Sequence, residues 1–80
     1  MKQKEIKQIS DYLSGVQRGL VRTGENPALR LKLEKMSQII NTLSDETLKE
    51  NDKKIKGMLA FLELKALSCK TQIEKHLEMN

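Results

Sequence analysis

Two side chains in this sequence are of kinds that carry nucleophilic or metal chemistry, the thiol of Cys69 and the imidazole of His76, and the chain has one cysteine and one histidine. A thiol nucleophile needs a base within hydrogen-bond reach and a third group to orient that base. Seven residues apart on one helix, Cys69 and His76 would have Cα atoms about 10.5 Å apart, too far for a direct bond. Zinc takes three or four ligands, and these two with one carboxylate make a poor set. No phosphate-cradling glycine loop, HExxH pair or EF-hand loop occurs. The expectation is therefore no enzyme, no cofactor, no metal and no small-molecule substrate. Cys69 sits in an apolar stretch and reads as a small buried hydrophobe, with an intermolecular disulfide or reactive thiol as the alternative.

The charged residues are more informative. The only arginines are Arg18, Arg22 and Arg30, with Lys32 and Lys35 close behind. Arg18 and Arg22 lie one helical turn apart. If the chain reverses between Arg22 and Arg30, all five cations gather at one basic tip. The planar guanidinium suits carboxylate or phosphate, so such a tip could dock an acidic partner or a nucleic-acid backbone. A solvated basic face, with Glu25 and Glu34 as local counter-ions, accounts for the same residues. Asp45, Glu46, Glu50 and Asp52 form an acidic stretch, which reads as a solvated helix start.

Three helices must position these groups. Ile6, Ile9, Leu13, Val16 and Leu20 are spaced alternately by three and four, the seam of a helix over residues 3–22. Gly15 and Gly19 share a face, either tolerated there or marking a close helix approach. Thr23–Pro27 is the clearest break. Gly24 suits a helix end, Asn26 an N-cap and Pro27 a first helical position. A second helix over 27–43 carries Leu29, Leu33, Met36, Ile40 and Leu43, with Leu31 and Ile39 widening its apolar side. The short break makes the first two helices an αα-hairpin. Ser44 with Asp45 and Glu46 resembles the next N-cap, with Leu43 and Leu48 placed as a staple. The polar run 49–54 leaves two starts for the third helix, near residue 45 or near residue 52, and a nearly continuous helix from Asp45 is the preferred one. It ends near residue 78.

Met58–Cys69 is the most apolar stretch, with Glu63, Lys65 and Ser68 its plainly polar residues. A helix apolar nearly all round is covered on more than one side. The seam Ile55, Leu59, Leu62, Ala66, Cys69 and Ile73 faces the first two helices, which leaves Met58, Phe61, Leu64, Lys65 and Leu67 for a partner or a wider core.

The run Ile9 to Val16 through Val21–Arg22 resembles the helix-turn-helix of bacterial regulators, in its I-x-D-Y-L beginning and trailing Val-Arg. That resemblance implies DNA binding. Against it, Gly15 and Val16 fall one place late and Ser10 stands where alanine is usual. The unbroken heptad explains the same residues as one helix.

With 80 residues, 32% of them charged, and a net charge of +4, this is one small domain, 1–80, with a limited core. A single cysteine allows no internal disulfide, no apolar run is long enough to span a bilayer, and no secretory signal opens the chain, so a cytoplasmic location is expected. The fold class expected is all-α, a small antiparallel three-helix bundle with coiled-coil-like seams, monomeric or dimeric. The expected function is a non-enzymatic interaction module (adaptor, chaperone, inhibitor or regulatory protein) that buries an apolar helix face against another protein or itself as a homodimer. The alternative is a nucleic-acid-binding regulator using the basic tip.

Overall fold

The computed structural model describes residues 3–22 and 28–79, with side chains for 3–19 and 28–78. Among these residues the structure is helical: α1 (Gln3–Arg22), α2 (Leu29–Lys49) and α3 (Lys53–Met79), with no strand. The bundle measures 43 × 18 × 15 Å. Its long dimension follows from α3, whose 27 residues span about 40 Å against about 30 Å for the other two helices.

α3 is the central element, and both α1 and α2 pack on it more closely than on each other. The three seams read from the sequence form the core. Leu13, Met36, Leu43, Leu59, Ala66, Cys69 and Ile73 are fully buried, and Ile6, Val16, Leu29 and Leu62 nearly so. Counting outward from Asn51, Leu43 and Leu59, Met36 and Ala66, and Leu29 and Ile73 are each equidistant from the turn. In an antiparallel pair they therefore lie at matching heights, three core layers seven residues apart. Successive helices alternate in direction. The Lys35 ammonium lies 5.0 Å above the Tyr12 ring, joining mid-α1 to the first half of α2. Ser14 bonds to Lys65 and Leu13 to Cys69, while Ile6 faces Met58 and Leu62. Rising numbers thus match rising numbers, and α1 runs parallel to α3.

Several expectations are corrected. α2 does not stop at Leu43 but continues to Lys49, so Ser44 is a helical residue and not a cap. Leu48, expected as half of a staple, is 79% exposed. Nothing in residues 44–47 forces a stop, since a serine and two acids are tolerated in a helix that already packs on one face. The chain turns instead at residues 50–52, where side-chain acceptors are concentrated. The Glu50 carboxylate accepts the Asp52 backbone N–H at 3.1 Å, and the Asp52 carboxylate accepts those of Lys54 and Ile55 at 2.9 and 3.3 Å. Asp52 is thus the N-cap of α3, and the later of the two starts is the one adopted. Leu31 is 69% exposed and widens no packing face. α1 is unbroken through Gly15, which leaves no turn for a helix-turn-helix. A Cβ built at Gly15 or Gly19 would meet nothing within 4 Å, so no close helix approach occurs there. α2 begins at Leu29 with Ala28 in the cap position. The break predicted at Gly24, Asn26 and Pro27 lies outside the described residues.

Candidate protein-interaction face

Cys69 is fully buried. Its thiol lies 3.9 Å from the Leu13 carbonyl oxygen, a weak donor contact to α1. Burial pushes the thiol above its ordinary pKa, with Lys65 partly opposing the shift. A protonated, enclosed sulfur is a poor nucleophile. Tyr12, half-buried beneath Lys35, is also raised, by burial first and then by the Cys69 charge. Among the described residues no group of His, Cys, Asp and Glu is placed to hold a metal ion. No described helix is long and apolar enough to cross a membrane.

The side of α3 that faces away from α1 and α2 is unusual for this chain. Gly57, Ala60, Phe61, Leu64, Leu67, Ser68 and Thr71 are all exposed and all uncharged, although a third of the sequence is charged. Phe61 and Leu64 are 66% and 67% exposed, Leu67 42% and Met58 39%. Scattered surface leucines are ordinary; here the exposed apolar side chains form a contiguous band along one helix.

One edge of this band turns into a groove. Between α1 and α3, Ile6, Met58, Phe61 and Leu62 line an open cleft of about 580 Å³, with Lys7 and Lys54 beside them. Gly57 lies beside them and leaves the cleft wide, because no Cβ projects there.

Of the residues expected to meet a partner, Met58, Phe61, Leu64 and Leu67 are therefore accessible and lie along one helix. Lys65 is used inside the chain, donating to the Ser14 hydroxyl at 2.9 Å and fastening α1 to α3. The five expected tip cations are not equivalent. Arg18 and Arg30 are exposed, Lys32 is half-buried, and exposed Lys35 covers Tyr12. Arg22 closes α1, its side chain lying outside the described set. Gly57, Ala60 and Thr71 escape a search for apolar periodicity, because none is a large hydrophobe. The signal that finds them is the absence of charge at successive positions three and four apart. On the α1 wall of the groove, Ile6 is legible as a seam residue, but nothing in the sequence marks it or Lys7 as lining a cleft.

Fold and face together define a small three-helix bundle with one helix covered on its inner side and bare along its outer one. Compared with protein families, with curated proteins and with solved structures, the chain matches none.

Proposed function

We propose that the chain is a small non-enzymatic protein–protein interaction module, of adaptor, chaperone, inhibitor or regulatory type. It works by burying the outer face of α3 against a protein, either another chain or a second copy. The observation carrying this reading is the charge-free, exposed band from Gly57 to Thr71. Covering Phe61 and Leu64 would contribute about 1.5–3 kcal/mol each, enough to make these two side chains the centre of a binding site. Met58 adds an unbranched, adaptable side chain at the groove edge.

The test is Phe61→Glu. Its mass in solution, by size-exclusion chromatography with light scattering at low and high salt, and its retention of any purified partner are compared with wild type. Weakened association with unchanged helix content is expected. Association equal to that of wild type would refute the reading.

Exposed Arg18 and Arg30 support a second reading, a nucleic-acid-binding regulator working through the basic tip. It requires binding of duplex DNA or RNA at low salt that falls steeply as salt rises, because neutralised phosphates release counterions. No shift of either duplex at low salt would dispose of it.

A further inference from the structure

The bare face of α3 has a pattern that says what covers it. Gly57, Ala60, Leu64, Leu67 and Thr71 recur alternately at three and four residues, a second heptad seam on the side opposite the core seam. Beside it, toward α2, stand Lys56, Glu63, Lys70 and Glu74, in alternating sign along the helix. Among the described residues none of these four side chains has an ion-pair partner within the chain.

Read backwards, that row of charges is its own complement. Set against itself head to tail, it puts Lys56 opposite Glu74 and Glu63 opposite Lys70, each pair occurring twice about a two-fold axis. The same register stacks Leu64 on Leu67 of the second copy in the two central layers, and Ala60 on Thr71 in the layers flanking them. On the other edge Phe61 lies over Ser68 of the second copy. One like-charge pair results, Lys54 beside Lys75 of the second copy, at the ends of the overlap. A parallel pairing has no such complementarity, since it sets Glu63 beside Ser68 and Lys70 beside Lys75. The face points away from α1 and α2, so a second bundle can approach it without displacing either. The geometry points to a second copy of this chain as the occupant: two α3 helices pack antiparallel through the Gly57–Thr71 seam, giving a two-fold dimer of three-helix bundles. This deepens the proposed function and rests on it.

Charge reversal tests the register. Sedimentation equilibrium is measured for the full chain, for Leu64→Glu, for Glu63→Lys and Lys70→Glu singly, for the two combined in one chain, and for an equal mixture of the two single variants. Wild type is expected to dimerise. Leu64→Glu, which puts a charge in both central layers, should weaken the dimer by about a hundredfold or more. Either single reversal sets like charges together twice and should weaken it by about tenfold. The combined variant should return to near wild-type affinity, and the mixture should associate more tightly than either single variant alone. Lys56→Glu with Glu74→Lys repeats the swap at exposed positions, in case a change at half-buried Glu63 unsettles the fold.

A dimer indifferent to Leu64→Glu overturns the proposal, as does one that the double reversals fail to restore. A wild type that stays monomeric overturns self-pairing alone, because the proposed function also admits a different protein on this face. If Phe61→Glu leaves every association intact, the function itself falls with it.

Discussion

Cys69 shows how burial sets the chemistry of a side chain. Enclosed in the core and held above its usual pKa, the thiol should react with an alkylating reagent only when the chain opens. The native protein is expected to be labelled slowly, at a rate tracking the unfolding equilibrium, and labelling at the rate of a free thiol would contradict this. The pH dependence has a definite sign. In the unfolded chain the thiol ionises at about 8.5, while in the folded chain it holds its proton to higher pH. Between those two values the folded state binds more protons, so stability falls as pH rises. Below the ordinary thiol range the contribution is fully present, and Tyr12, also raised, extends the loss beyond about pH 10. Thermal melts from neutral to alkaline pH should show a falling midpoint, with a shallower fall in Cys69→Ala. That variant starts lower, because it leaves a small cavity.

The turn between α2 and α3 decides where one helix stops and the next begins. Two segments are rich in capping residues, 44–46 and 50–52, and the second is used. Asp52 satisfies two backbone N–H groups at the start of α3, and Glu50 ties down the turn before it. Asp52→Ala should therefore cost about 1 kcal/mol, measurable by urea denaturation. Ser44→Ala, inside a helix, should cost almost nothing or stabilise slightly, because alanine is the better helix former. Equal losses in the two variants would mean that Ser44 caps a helix after all. α1 offers a complementary case. Gly15 has open space where a Cβ would stand, so Gly15→Ala should stabilise the protein by about 0.5–1 kcal/mol. A loss would reveal a contact at that position.

At the scale of the molecule, the two sides of α3 predict opposite responses to mutation. Leu59 is fully buried in the core cluster that the three helices share, whereas Leu64, five residues on, is 67% exposed. Leu59→Ala should cost about 2–5 kcal/mol. A domain this small commands only some 4–12 kcal/mol in total, so the variant should be half-melted or molten. Leu64→Glu should leave the stability of the single bundle within about 0.5 kcal/mol while strongly weakening association. Urea denaturation at low protein concentration separates these effects, and a large loss of monomer stability in Leu64→Glu would place that residue in the core.

The three core seams and the central place of α3 were determined by the sequence alone. A helix with 3.6 residues per turn converts a spacing of three and four directly into a face, and Ile6, Leu13, Met36, Leu59 and Cys69 are buried where that conversion puts them. The sequence also determined that Phe61 and Leu64 were surplus to the core seam. Tertiary structure alone decided the turn at Asn51 over the equally cappable Ser44, because that choice depends on keeping Leu43 and Leu59, Met36 and Ala66, and Leu29 and Ile73 at common heights. It alone decided that α1 packs chiefly on α3 and only slightly on α2, joined to α3 by Lys65 and Ser14, and so opened the groove over Ile6. Local propensity cannot express either outcome, since both are set by which seam finds which between residues far apart in the chain.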